Sequence, residues 1–124
     1  LLDSIKYYKK AIEAENTEAM IRYAYFFKNG IGVKKNYRKT AQYMRMAYEK
    51  DDMEAAAQYG KILALGKGVE KNVDEAKKAL KKSSDSGNPN GREFYQLFLN
   101  DQLVDDDPDS SPNESNKQKK KHSK

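Results

Sequence analysis

Apolar residues recur along the chain at helical spacing, in short stretches separated by Gly, Asn and Asp. Residues 17–28 place Met20, Tyr23, Ala24 and Phe27 at i, i+3, i+4 and i+7, the pattern of an amphipathic helix with one buried face. Comparable stripes predict further helices over residues 3–14, 37–50, 53–65, 73–86 and 90–102. The pattern therefore predicts an all-α chain.

Short polar residues precede these helices, and glycine pairs follow two of them. The residues in N-cap position are Asn16, Asn36, Asp52, Asn72 and Asn88. Such side chains accept a hydrogen bond from the first turn of a helix. Gly30 and Gly66 follow helix ends, where a positive φ favours glycine. A phosphate-binding loop would need a preceding strand, so these glycines indicate turns.

The whole pattern repeats every 36 residues. Gly30-Ile31-Gly32-Val33 returns as Gly66-Lys67-Gly68-Val69, and Tyr23 returns as Tyr59 and Tyr95. Small residues also share a phase, as Ala19, Ala55 and Gly91 do. A fixed period of this length is typical of an array whose units bury their apolar faces against each other.

These residues together resemble the Sel-1-like repeat, a relative of the tetratricopeptide repeat. The glycine loops, the alanines at 19, 41, 47, 55 and 76, and Tyr43 match the family pattern, while Thr40 and Ser83-Ser84 replace usual alanines. The resemblance implies a right-handed α/α superhelix. It divides the chain into the end of a truncated repeat at 1–15, repeats at 16–51 and 52–87, and a terminal capping helix at 88–104.

Composition argues against catalysis. The chain has no cysteine, and its one histidine, His122, lies in the C-terminal tail. Disulfides, thiolate chemistry and Ser-His-Asp or Cys-His arrangements are thereby excluded. We expect no enzyme activity, no cofactor, no metal site and no small-molecule substrate.

The tail and the charge balance bear on localisation. Residues 105–124 are acidic and then basic, without apolar periodicity, which predicts disorder. Their charges cancel, so the net charge of +5 belongs to residues 1–104, where the lysines are spread over every repeat and make nucleic-acid binding an unfavoured reading. With no membrane-spanning apolar run, we expect a cytoplasmic protein, or a nuclear one if Lys117–Lys121 acts as an import signal.

In such arrays the first helix of each repeat lines the concave face. Positions there that packing does not require are candidates for partner binding: Arg22, Tyr25, Gln58, Lys61 and Phe94. Tyr and Arg are common interface anchors. The sequence predicts an aromatic and basic groove for an acidic or amphipathic peptide. The alternative is that Tyr25 packs on a neighbouring helix and Arg22 is solvated.

The resemblance implies a non-catalytic scaffold or adaptor that binds a protein or peptide. Two other function classes stay open. One is a regulatory repeat segment of a larger multidomain protein such as a protein kinase, because Leu1 falls inside a repeat and indicates a longer array. The other is nucleic-acid binding through the positively charged body.

Overall fold

A computed structural model describes residues 2–105, which form six helices joined by short turns. The helices are α1 (Leu2–Glu13), α2 (Thr17–Asn29), α3 (Tyr37–Glu49), α4 (Met53–Leu65), α5 (Val73–Asp85) and α6 (Pro89–Leu99). All the predicted helices are present, with ends shifted by at most three residues. The prediction of disorder for the tail beyond residue 105 lies outside the described residues.

Each helix packs against the next one along the chain, and α4 also packs directly on α6. The three tyrosines of the repeat phase occupy the seventh position of α2, α4 and α6. Tyr23 is buried, while Tyr59 and Tyr95 are partly buried. Equivalent residues thus stand at equivalent places in consecutive hairpins, which confirms the predicted all-α solenoid.

Capping fixes where each helix begins. The side-chain oxygens of the five predicted cap residues accept hydrogen bonds of 2.8–3.1 Å from the backbone N–H three residues later. At the other end, Gly30 and Gly66 are left-handed, with φ of 68° and 69°. Caps and left-handed glycines satisfy backbone groups that a helix end leaves unpaired.

The loop between the two helices of a repeat is closed by the backbone. The N–H of Asn36 donates to the carbonyl of Phe27, and the N–H of Asn72 donates to that of Leu63, both at 2.9 Å. A reciprocal capping box, as the Asn72–Glu75 spacing suggests, would direct this same N–H to Glu75. The closed loop instead brings the cap back to the preceding helix and sets the hairpin's geometry.

Small residues let adjacent helices approach closely. A Cβ on Gly60 would lie 2.7 Å from Leu80, and one on Gly91 would lie 2.1 Å from the hydroxyl of Ser83. The buried hydroxyl of Ser83 donates to the carbonyl of Met53 at 2.7 Å. Thr40, likewise buried, places its hydroxyl 3.2 Å from the carbonyl of Ala24. Thr40 and Ser83, two of the departures from alanine, are therefore accommodated by hydrogen bonds between helices.

The core changes character along the array. Around α2, aromatic rings dominate: Tyr43 stands edge-on to Tyr23 at 4.9 Å and parallel to Phe27 at 6.0 Å. Around α4 and α5 the core is aliphatic, built on Leu63, Ala64 and Ala76. Burial raises the pKa of Tyr23 and of Tyr43 above the usual value for a phenol.

Replacing Gly91 with alanine tests the close approach. In an exposed helix this change stabilises by about 1 kcal/mol. Here the new Cβ would lie 2.7 Å from the carbonyl carbon of Ser83. We therefore expect Gly91→Ala to lower the free energy of unfolding by roughly 1–3 kcal/mol in urea titrations followed by circular dichroism. Gln96→Ala, at an exposed site of the same helix, is the control. Equal or greater stability of Gly91→Ala would contradict the packing.

The buried tyrosines predict a loss of stability in alkali. Their pKa is raised in the folded chain, so the unfolded chain releases the phenolic protons first. The contribution of these tyrosines to the free energy of unfolding is therefore fully present below a pH of about 10, and it is lost as the pH rises above that value. Urea midpoints measured between neutral and strongly alkaline pH check this. Tyr43→Phe should weaken the alkaline decline, and an unchanged slope would contradict the assignment.

Candidate functional site

A groove opens between α2 and α4 over the beginning of α3. Within the described part of the chain, α2 and α4 are in marginal contact at most, whereas α4 and α6 pack together. This α2–α4 groove is lined by Tyr25, Lys28, Tyr37, Thr40, Met44, Gln58, Lys61, Ile62, Leu65, Lys67 and Asp105. It combines an apolar floor with a basic rim.

The floor comes from the faces that the helices turn toward each other. Met44 of α3 is almost completely buried, and Ile62 and Leu65 of α4 are partly buried. These residues fall at the apolar positions of their helices, so the same pattern that builds the core also builds the floor. A ligand in the groove can bury apolar groups there.

Lysine side chains lie beside aromatic rings along the rim. The ammonium nitrogen of Lys67 is 4.4 Å from the ring centre of Tyr37, that of Lys61 is 4.8 Å from Phe94, and that of Lys28 is 5.8 Å from Tyr25. A cation over an aromatic face is attracted by its quadrupole. The rings therefore hold the cations at defined places, where they can pair with an anionic ligand.

Lys67 is positioned by the second glycine loop. Gly68 rests on the first turn of α3, where a Cβ would lie 2.4 Å from the carbonyl oxygen of Tyr37. With φ of 82°, Gly68 directs the preceding residue across the Tyr37 ring. The Lys67 side chain is only 8% exposed and pairs with Asp105 at 2.6 Å. Sequence reasoning missed Lys67, because the residue at the same phase of the first repeat is Ile31, which gives no sign of a charged site. In the structure Ile31 is exposed, whereas Lys67 is buried.

The end of the described chain reaches the groove along a short path. After α6, Asp101 adopts a left-handed φ of 58°, and the N–H of Gln102 donates to the carbonyl of Leu97 at 2.7 Å. Leu103 then packs on the cluster around Leu63. Asp105, which the sequence assigned to the disordered tail, is instead held against Lys67 with its side chain 15% exposed.

Three of the sequence-predicted binding residues, Tyr25, Gln58 and Lys61, line the groove. Phe94 lies against Lys61 at its edge. Arg22 lies elsewhere, in a depression shared with Tyr7 and Tyr8 of α1.

Arg22 forms an exposed ion pair with Glu18 at 2.9 Å. This pair raises the pKa of the Arg22 guanidinium above its usual value. The repeat phase grouped Arg22 with the groove residues. In the structure Arg22 lies beside α1, the helix that precedes α2, and not in the α2–α4 groove.

On the other side of Gln58, the carboxylate of Glu54 is held by hydrogen bonds from three amides. The carboxylate of Glu54 accepts hydrogen bonds from Gln58 at 2.9 Å, Asn88 at 3.1 Å and Asn90 at 2.9 Å. These bonds tie α4 to the beginning of α6.

Two kinds of site are absent from the residues that the structure describes. Residues 2–105 contain no group of three or more His, Cys, Asp or Glu side chains placed to hold a metal ion. In the same range, every helix is too short or too polar to cross a membrane. The groove can supply cations, amide donors and apolar surface to an extended anionic ligand.

Comparison with known proteins matches this architecture. The family model of the Sel1 repeat matches residues 3–16, 17–52 and 54–88. A search of curated proteins finds no significant match to the chain.

Among solved structures, Helicobacter pylori cysteine rich protein B is 31% identical, covers 72% of this chain and 67% of its own, and superposes with a TM-score of 0.67. A Sel1 repeat protein from Oxalobacter formigenes is 27% identical with a TM-score of 0.74, over 99% of this chain and 49% of its own.

A third structure shares the fold alone. The protective antigen c5321 of uropathogenic Escherichia coli is 22% identical with a TM-score of 0.72, over 90% of this chain and 23% of its own. The chain thus spans about half of the Oxalobacter protein and about a quarter of c5321. From its repeats, its caps and these matches, the chain belongs to the Sel1 repeat family.

Proposed function

We propose that this chain is a non-catalytic adaptor that binds an acidic, extended segment of a partner protein in the α2–α4 groove. Sel1 repeat arrays are in general scaffolds for protein–protein interaction, and stacked repeats provide extended surfaces for this purpose. The repeat fold by itself implies neither a reaction nor a ligand. The chemistry of the proposed partner segment is therefore argued from the residues that line the groove.

One observation carries the proposal. The extended end of the described chain places the Asp105 carboxylate on Lys67 at 2.6 Å, where both residues line the groove, while Leu103 packs on the cluster around Leu63. The groove therefore already holds a carboxylate of the kind that an acidic peptide would bring. Lysine–carboxylate hydrogen bonds are charge-assisted and stronger than neutral ones.

The remaining groove residues suit the rest of such a peptide. Lys61 and Lys28 supply further cations, Gln58 supplies an amide, and Ile62 and Leu65 supply apolar contact. Single-stranded nucleic acid would need open aromatic faces for base stacking. The ring of Tyr37 is covered by Lys67, which favours a peptide.

Charge reversal at Lys61 tests the proposed function. The probe is a fluorescein-labelled peptide with the sequence of residues 103–109, Leu-Val-Asp-Asp-Asp-Pro-Asp. Because a charge-assisted contact is lost and a repulsion is added, we expect Lys61→Glu to weaken binding by about tenfold or more in fluorescence anisotropy.

Two variants with the same change of charge serve as controls. Lys77→Glu lies on the exposed face of α5, and Arg22→Glu lies in the separate depression beside α1. Both should retain the affinity of the unmodified chain. Equal losses in all three variants would reduce the effect to net charge, and tighter binding of an oligothymidylate than of the peptide would contradict the proposal.

A further inference from the structure

The ion pair between Lys67 and Asp105 differs from others on the molecule by its burial. Its side chains are 8% and 15% exposed, whereas the Lys82–Asp51 pair joins side chains that are 49% and 76% exposed. Removing two charges from water is costly unless the geometry compensates. Here the cost is met by a 2.6 Å contact and by the Tyr37 ring beneath the cation. Such a site is built to hold a carboxylate.

The segment that supplies the carboxylate lies as an extended peptide does. Leu103 and Asp105 turn toward the body, while Val104 between them is 67% exposed. This alternation is the side-chain period of extended backbone. The segment packs one apolar residue and places one acid two residues later on Lys67. It uses apolar and charged contacts of the kinds that the proposed function assigns to a partner.

The sequence beyond this point continues the same charge. Asp105 is the first residue of the run Asp-Asp-Asp-Pro-Asp at positions 105–109. The groove beside Lys67 carries Lys61 and Lys28. The run in the sequence and the lysines of the groove are thus opposite in charge, and the one pair described between them is Lys67 with Asp105.

We propose that Asp105 of this chain is the resident ligand of Lys67 in the α2–α4 groove, and that an acidic partner segment binds by displacing it. The inference rests on the proposed function, because it assigns both ligands to one site. The chain's own aspartate and that of the partner then compete for the carboxylate site on Lys67. Apparent affinity is the intrinsic affinity reduced by the fraction of molecules whose groove is vacated.

Removing the internal carboxylate tests the competition. In the full chain, Asp105→Asn keeps the shape of the side chain and removes its charge. The control Asp101→Asn removes one charge at an exposed, left-handed position that asparagine accepts readily. Binding of the labelled 103–109 peptide should strengthen about tenfold in Asp105→Asn, which corresponds to nine-tenths occupancy by the resident segment. Asp101→Asn should bind as the unmodified chain does.

A second measurement detects the resident segment without added ligand. Hydrogen exchange of the amides at 103–105 should accelerate in Lys67→Met, and also in the unmodified chain when unlabelled peptide is added. Lys77→Met, which removes the same charge at an exposed position of α5, should leave this exchange unchanged. Both responses together support displacement.

The outcomes separate the two proposals. Peptide binding that is equal in Asp105→Asn and Asp101→Asn, with Lys61→Glu still impaired, would overturn the internal competition and leave the binding function intact. Absence of peptide binding in the unmodified chain and in Asp105→Asn alike would overturn both. Exchange at 103–105 that is insensitive to Lys67→Met would show that the ion pair does not hold the segment, and it too would overturn the inference.

Discussion

The close approach of neighbouring helices is the constraint on which the rest of this structure depends. Gly60 and Gly91 lie where a single added carbon would meet Leu80 or Ser83. Because each repeat is too small to bury its own apolar surface, contact with the next unit supplies the stability that a single core would otherwise give. The chain has no cysteine, so packing and capping do this without covalent links.

The second glycine loop links this packing to the lining of the α2–α4 groove. Gly68 reaches the first turn of α3 through a position that admits no side chain, and it thereby sets Lys67 over Tyr37. The feature that holds the repeats in register also aims the lysine into the α2–α4 groove. The geometry of the array thus decides where the side chain between Gly66 and Gly68 lies, and the residue at that position decides which charge it carries.

Much of the fold could be predicted from sequence because its signals are local. A helix start needs a cap such as Asn16 or Asp52, and a reversal needs Gly30 or Gly66, so each reveals itself within a few residues. The groove depends on contacts between residues that are far apart in sequence, and local sequence patterns do not reveal such contacts. Lys67 and Asp105 are 38 positions apart, and neither differs in type from many solvated neighbours. Repeat phase brought Tyr25, Gln58 and Lys61 together but could not tell that Arg22 faces α1.

The backbone closures at Asn36 and Asn72 set a rule for how this protein can evolve in length. Each joins a cap to the carbonyl nine residues earlier, and both recur at the 36-residue spacing. A duplication or deletion of one complete unit restores every closure. A change of length inside one of these loops breaks its closure and shifts the partly buried Val33 or Val69, which pack on the clusters around Tyr23 and Leu63. Such arrays can therefore lengthen or shorten by recombination in whole modules without disturbing the loops that remain.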